Sequence, residues 1–384
     1  QKGHQVTVFE KLENPKPIGA GFMLQPTGML MLYKLGLLDK IAKRATPINQ
    51  LYGVNENNKK VLDLKFDALK NFKHSLGIHR GLIFKVLHDE LINKNIVIRT
   101  GQQIESFKKT SDKIIPVNSK NEDLGEFDLL VIADGSRSKL REKTSIQFKK
   151  HWYDWLAMWY VLEDTDFKMG NKIYHKYEKT RKLLGFMPIG FGPDETNKQR
   201  LVNLFYSVPK TRLNEIKNGT LNQWKDEVIK LDKIGEHYLD QIKSMDDFTY
   251  TGYGRMKPSR MYDDKIAILG DAAHGLSPQL GQGISMALLD GHSLAEHISG
   301  NDLHKGLADF SKDRLNHLKY YIWADSMAAP LFQSHQPIQS HLRDIGFPLL
   351  KSIPFTYKLF LETMIGIKTG IFSQNLDIDT SLIY

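Results

Sequence analysis

Two aspartates that close apolar runs are the residues of this sequence best suited to hold a ligand. Lys265-Ile266-Ala267-Ile268-Leu269 ends in Gly270-Asp271 and runs on through Pro278 to Gly281-Gln282-Gly283-Ile284-Ser285. Phe127-Asp128-Leu129-Leu130-Val131-Ile132-Ala133 ends in Asp134-Gly135-Ser136-Arg137-Ser138, with Arg141 following. A carboxylate at a strand end can accept hydrogen bonds from sugar-like hydroxyls, and glycines let a ligand approach the backbone closely. Arg80 stands just before a helix marked by Ile83, Leu87 and Leu91 at four-residue spacing, where a guanidinium suits a phosphate or carboxylate partner. Arg141 can either hold an anionic group or fix its own loop. His79 reads as packing.

The elements that must position these groups follow from the pattern. An apolar run ending in Gly-Asp reads as a strand of a buried parallel sheet, and ligands of open α/β sheets bind beyond the carboxyl ends of such strands. The helix from Ile284 through Leu294 points its amino end at that place and favours negative charge there. Val6-Thr7-Val8-Phe9 is a short strand ending at Glu10. Dinucleotide-binding folds place such an acid about 20 residues after a Gly-rich fingerprint, where it bonds a ribose hydroxyl. Counting back from Glu10 runs off the start of the chain. The fingerprint, first strand and first helix are therefore read as missing, and these 384 residues are expected to bind such a cofactor poorly and to aggregate.

Further along, Gly19-Ala20-Gly21-Phe22 through Pro26 is a loop, and Thr27 is a candidate N-cap of a helix that Gly36 ends. Residues 50–76 read as hairpin-like strands turning at Asn57-Asn58. Segments near 96–98, 104–107 and 114–117 read as a β-meander, and 127–133 as a buried strand. From about 151 the chain turns aromatic, and strands near 151–161, 173–177, 183–188 and 201–208 imply a second, largely antiparallel sheet. Residues 213–238 and 309–327 read as helices, and the proline-interrupted tail 331–371 as short or broken ones.

Composition bounds the function. The sequence has no cysteine, which excludes disulfides, thiolate metal sites and cysteine nucleophiles and suits a cytoplasmic protein. No metal-ligand pattern appears. No apolar run is long enough to span a bilayer. The formal charge of +9 reads as a lysine-rich solvated surface. Its basic residues are scattered outside any nucleic-acid module. The apolar tail beside several lysines reads as a helical cap, with weak interfacial membrane contact as the alternative.

Together, Arg80, the Asp134 region and the Asp271 region resemble the FAD-dependent monooxygenases of the para-hydroxybenzoate hydroxylase type. The resemblance implies an α/β fold. A Rossmann-like FAD-binding domain (1–150 and 255–330) carries an inserted substrate domain (151–254), with strands near 50–76 on the substrate side and a helical region at 331–384. It implies that Asp271, with Gly270 beside it, holds the ribityl chain. Pro278 flanks the flavin ring, the turn of Gly281 and Gly283 packs against it, and the amides near Ile284 and Ser285 face its pyrimidine end. Arg80 lies over the flavin or its pyrophosphate, Asp134-Gly135 couple flavin and nicotinamide binding, and Glu10 takes the ribose. The substrate pocket lies between sheet and ring, with Phe186, Met187, Phe205 and Tyr206 as candidates; no catalytic base is identified.

The implied chemistry is the cofactor's. NAD(P)H reduces FAD, and one oxygen atom of dioxygen goes to a small aromatic or otherwise unsaturated substrate, hydroxylating or epoxidising it. Three alternatives share the fold: a flavin halogenase, whose Trp-x-Trp-x-Ile-Pro motif is not matched at Trp152–Trp159; a flavin-linked reductase or cyclase acting on isoprenoids; and a flavin-binding protein without turnover.

Overall fold

Ile266, Ala267 and Ile268 are fully buried, and burying each isoleucine contributes about 1.5–3 kcal/mol. The strand they form anchors the ligand-facing turn. The computed structural model describes residues 2–17, 19–300, 302–373 and 375–384. The chain opens with β1 (Thr7–Phe9) and β2 (Gly21–Leu24), then α1 (Pro26–Lys34) and α2 (Leu38–Ala42). Strands β3 (Thr46–Ile48), β4 (Gln50–Asn55), β5 (Lys60–Lys65) and β6 (Ser75–His79) precede α3 (Arg80–Asn93). Next come β7 (Val97–Arg99), β8 (Ile104–Lys109), β9 (Ile114–Asn118) and β10 (Leu130–Ile132). The long strands β11 (Phe148–Glu163), β12 (Lys172–Glu178), β13 (Lys182–Phe191) and β14 (Arg200–Pro209) are followed by α4 (Leu213–Asn218), α5 (Leu221–Leu231) and β15 (Thr249–Pro258). Strands β16 (Tyr262–Asp263) and β17 (Ile266–Ile268) lead into α6 (Gly270–Ala273), α7 (Gly283–His297), α8 (Leu303–Phe332), α9 (Ile338–Lys351) and α10 (Pro354–Met364).

Among the described residues five sheets result. Strand β1 pairs parallel with β7, and β10 with β17. A seven-stranded sheet runs β15-β11-β14-β13-β12-β4-β5, antiparallel throughout except where β12 meets β4. The hairpin of β4 and β5 thus joins the aromatic strands, and Asn58 at φ 59° makes its turn. One core runs from the sheet face bearing Met187 and Ile189 through Ile266 and Met286 to Phe310 and Leu361. A second lies under the other face, where Phe186 and Tyr206 pack on Trp224, Val228 and Tyr238.

Several expectations are corrected. The meander does not form: β7 leaves its neighbours to pair parallel with β1, and β8 pairs with β9. The left-handed residues Asn95 and Gly101 bracket β7 and redirect the chain. The strand expected over 127–133 is regular only at 130–132, and its Val131 is 40% exposed rather than buried. Thr27 is not the N-cap of α1; Gln25 is, with Pro26 in the first turn, where its missing N–H costs nothing. The helix expected from 213 to 238 breaks at Gly219, and Thr220 starts α5 with a capping box to Gln223. Helix α8 extends at both ends and carries Pro330 near its terminus. Helix α9 turns Arg343 and Ser340 inward and leaves Ile338, Leu342, Ile345 and Leu349 exposed. Among the described residues no helix is long and apolar enough to cross a membrane.

Candidate functional site

The turn after β17 is built on backbone conformations that glycine permits. Gly270 has φ 54° and Gly281 φ 60°, both in the left-handed region that costs other residues roughly 1–2 kcal/mol. The first turns the chain into α6, so the Asp271 carboxylate faces solvent. The second ends the 3-10 turn Pro278–Leu280, so that α7 starts at Gly283. A Cβ on Gly283 would lie 4.0 Å from Asp271 Oδ1, so the carboxylate and the amino end of α7 share one corner.

Behind that corner lies a buried charged set that sequence reading missed. Asp290 Oδ2 accepts from Gly270 N at 2.9 Å and lies 2.6 Å from His274 Nε2. Its other oxygen accepts from Arg314 Nε at 2.8 Å. Arg314 Nη1 is 3.0 Å from His317 Nδ1, and His317 Nε2 is 3.0 Å from Gly366 O. An arginine can only donate, so His317 Nδ1 accepts and Nε2 carries the proton. Burial alone would raise the Asp290 pKa, but His274 and Arg314 bring it down to about 2. Burial pushes His317 down to about 3. The set therefore ties α6, α7, α8 and the segment after α10 to the backbone of Gly270.

Arg141, left open between two roles, fixes its loop. It is 4% exposed. Its Nη2 donates to Ser136 O at 2.7 Å and its Nη1 to Ala272 O at 3.0 Å. The loop carrying Asp134 and Gly135 is thereby stapled to the one carrying Asp271. Asp134 is exposed, and Gly135 turns at φ 87° with open space where a Cβ would stand. Between the loops lies a cleft of about 120 Å³ lined by Ser136, Lys150, Trp152, Arg255, Asp271 and Leu276, among others.

The remaining expected residues sit on neighbouring loops. Arg80 begins α3, its N–H donates to Ala20 O at 3.1 Å, and its Cδ lies 2.9 Å from the Cβ position of Gly19. Its guanidinium has no partner among the described residues. His79 caps α3, accepting from Gly81 N at 3.0 Å, a packing role. Glu10 accepts from Leu12 N at 2.9 Å. Among the described residues no hydrogen bond joins Glu10 or the Arg80 side chain to the 270–285 segment. Ser285 is fully buried, and its hydroxyl accepts from Gln25 N at 3.2 Å, tying the 21–25 segment to α7. Ile284 packs in the cluster of Phe22 and Met29.

The corner fits a flat, hydrogen-bonding ligand such as a flavin. Gln25 Nε2 is buried without a partner among the described residues. A Cβ on Gly281 would lie 3.5 Å from Gln25 Nε2. An unsatisfied donor, an exposed carboxylate and a helix amino end thus flank a glycine-lined surface.

Across from it stands the seven-stranded sheet. Of the four substrate-side candidates, Phe186 and Tyr206 face the other way, because side chains alternate along a strand. Met187 and Phe205 share the core of Met23 and Leu280. Sequence reading missed a polar network here. Gln333 Nε2 donates to Ser207 Oγ at 2.7 Å, and Gln333 Oε1 accepts from Gln279 Nε2 at 2.7 Å and from the Tyr253 hydroxyl. Beside it, Asp325 accepts from Ser277 N at 2.8 Å and Tyr153 OH at 2.6 Å.

Comparison with known proteins gives the family and the fold. Residues 1–322 match the family model described as an FAD binding domain. The chain is 23% identical to the FAD-dependent monooxygenase asL4 of Sarocladium schorii, over 77% of this chain and 70% of that protein. It is 23% identical to the kynurenine 3-monooxygenase of Christiangramia forsetii, over 95% and 86%. Its fold resembles Klebsiella pneumoniae HpxO complexed with FAD and uric acid, with TM-score 0.74, 16% identity and coverage of 94% and 90%. Pseudomonas aeruginosa PqsL, a probable FAD-dependent monooxygenase, is similar at TM-score 0.75 and 19% identity, covering 90% and 93%.

Proposed function

The chain belongs to the FAD binding domain family, and from that premise we propose that it is an FAD-dependent monooxygenase oxygenating a small aromatic substrate with NAD(P)H and dioxygen. The observation that carries this reading is the Arg141 staple, which joins the Asp134 and Asp271 loops at one cleft. In it the Asp271 carboxylate accepts from the ribityl hydroxyls, and the amides at Gly283–Ser285 meet the pyrimidine end. Gln25 Nε2, without a partner among the described residues, gains a hydrogen bond to the ring. Pro278 flanks the ring. Arg80, whose guanidinium has no partner among the described residues, holds the pyrophosphate, and Glu10 the ribose.

Lys150 and Arg255, which line the cleft beside Ser136, suit the phosphates of the nicotinamide co-substrate. Bound flavin supplies the redox chemistry and the activation of dioxygen; the residues of this chain orient it, exclude water and present the substrate. Residues 151–254, with β4 and β5, form the substrate side.

The reading is tested by screening the flavin-loaded protein against phenols, quinone precursors and polyketides for oxygen-dependent NAD(P)H consumption. NAD(P)H oxidation that rises with one of these and needs oxygen is expected. Oxidation that proceeds equally without oxygen would replace the monooxygenase by a reductase.

The outward row of α9 supports a weak contact with an anionic membrane surface. Its Ile345 is 69% exposed, and the nearest carboxylate on the helix, Asp344, is spent on Arg343 and Asn55. Flotation with vesicles containing phosphatidylglycerol is expected and should be lost in Ile345→Asp; equal flotation of the variant rejects the contact.

A further inference from the structure

We propose that the substrate taken at this site is uncharged, an aromatic carrying one hydrogen-bond donor and one acceptor, and that Gln279 and Asn203 select it, Gln279 being held in place by Gln333, Tyr253 and Ser207. The inference rests on the monooxygenase reading and adds the class of substrate. It comes from the kind of wall that the seven-stranded sheet presents.

On β14 the residues turned to the flavin side are Asn203, Phe205 and Ser207. Their register partners on β13 and β11 are all apolar or glycine. His175, paired across from Gly185 and 2.7 Å from the Tyr177 hydroxyl, is a basic group of this face, and burial holds it neutral by pushing its pKa down to about 3; burial likewise keeps Tyr177 protonated by pushing its pKa up. Arg343 reaches this side of the sheet but lies over the Tyr177 ring at 4.5 Å. It is committed to Lys179 O and Asp344. Arg255 and Lys150 line the outer cleft with Ser136 and Asp271. The formal charge that the inner wall does hold is negative. Asp325 is fully buried and takes hydrogen bonds from Ser277 and Tyr153, and Tyr153 lies 5.9 Å from the Tyr253 ring, centroid to centroid.

An anionic substrate would meet no counter-ion here and one like charge. Burying an ion without a partner costs several kcal/mol. A neutral molecule meets the opposite situation. Among the described residues, Gln279 Oε1 and Asn203 Nδ2 are buried without a partner. Gln279 spends its Nε2 on Gln333, and Asn203 spends its Oδ1 on Gly21 N at 3.1 Å. One acceptor and one donor are thus left, on the turn next to Pro278 and on the facing strand. A buried polar atom left unpaired costs about 1–3 kcal/mol, so a ligand that satisfies both gains selectivity from the wall itself. Phe205 supplies an aromatic contact: its ring covers Gly185 so closely that a Cβ there would lie 2.0 Å from a ring carbon.

The test uses the flavin-loaded protein and matched pairs that differ only in charge: 4-hydroxybenzamide against 4-hydroxybenzoate, and 2-aminobenzamide against 2-aminobenzoate. Each is titrated while the flavin absorbance is followed, which yields a Kd without turnover; NAD(P)H-driven product formation is measured separately. The amide should bind roughly tenfold to hundredfold tighter than the carboxylate. Gln333→Lys should shift the preference toward the carboxylate. Tyr253→Phe, which keeps the shape of the wall, should weaken the amide several-fold with flavin content unchanged. A carboxylate that binds as tightly as its amide, or binding by neither member of any pair, overturns the proposal. The two readings fail separately: amide preference without oxygenated product sinks the monooxygenase and keeps the uncharged wall, whereas turnover of carboxylates does the reverse.

Discussion

Behind Gly270, hydrogen bonds run through the buried ion pair of Asp290 and Arg314 and two flanking histidines. Asp290, His274, Arg314 and His317 are each no more than 2% exposed, and together they hold one backbone N–H and one carbonyl. Across the site, hydrogen bonds run through amides and hydroxyls, from Gln279 to Gln333 to Ser207. The ions lie behind the wall that would carry a phosphate-bearing cofactor, and they stiffen a turn whose left-handed glycine would otherwise be free to move. The amides lie on the wall that would meet the substrate, beside the buried Asp325, which is spent on Ser277 and Tyr153. On the proposed assignment of the two walls, strong interactions would sit where the partner never changes, and adaptable ones where chemistry must be selected.

The comparison can be broken most forcefully at Asp290. Asp290→Leu leaves Arg314 buried without its carboxylate, and breaking a buried pair from one side costs about 3–5 kcal/mol. A marked fall in melting temperature together with loss of flavin is expected; a variant that melts like the parent would mean the charged set carries nothing. Asp271→Ala should leave the melting temperature of the flavin-free protein alone. It should weaken flavin binding roughly tenfold to hundredfold, the value of a hydrogen bond to a charged group of about 1.5–3 kcal/mol. Flavin retained through gel filtration at parental levels would remove Asp271 from the site. Arg141→Lys keeps the charge but cannot bridge Ser136 O and Ala272 O with one fork. A smaller loss of flavin affinity is expected, with a rise in the KM for NAD(P)H; unchanged values for both would separate the two loops.

Acid sharpens the contrast. A histidine whose pKa is depressed in the fold stabilises it above its unfolded value of 6.5 and loses that contribution as pH falls toward its folded value. His175 and His317, both pushed down by burial to about 3, should lower the melting temperature progressively below about pH 6.5. Asp290, depressed to about 2, contributes above its unfolded pKa of 3.8 and loses its share between there and about 2. Asp290→Leu should flatten only that lowest limb. A melting temperature constant from pH 7 to 3 would contradict the buried, neutral histidines.

What the sequence made legible was local. The run 265–271 combines an apolar strand with a Gly-Asp turn, and Gly281 ends one turn so that another helix can start, all within a window that spacing can read. The sheet pattern of β11–β14 was legible from alternation, yet alternation could not say which face was which; Phe186 and Met187 are neighbours in sequence and belong to different cores. The meander failed because the partner of β7 lies near residue 8, far along the chain. Both hydrogen-bond networks were invisible for the same reason. Asp290 looks like a polar residue in an amphipathic helix until Arg314 reaches it from α8, and Ser207 meets Gln333 over a separation of 126 residues. A weak signal did exist: Arg314 and His317 sit three apart within a helix, where side chains share a face.

The central claim, that the cleft joined by Arg141 serves oxygen transfer to an uncharged aromatic, is tested most directly with isotopic dioxygen. The flavin-loaded protein is given NAD(P)H, the amide that binds most tightly, and oxygen labelled uniformly with the heavy isotope, and the product is weighed by mass spectrometry. One labelled oxygen atom per product molecule is the expected result. NAD(P)H consumed with hydrogen peroxide as the sole oxygen product, or a product whose added oxygen is unlabelled, would contradict it.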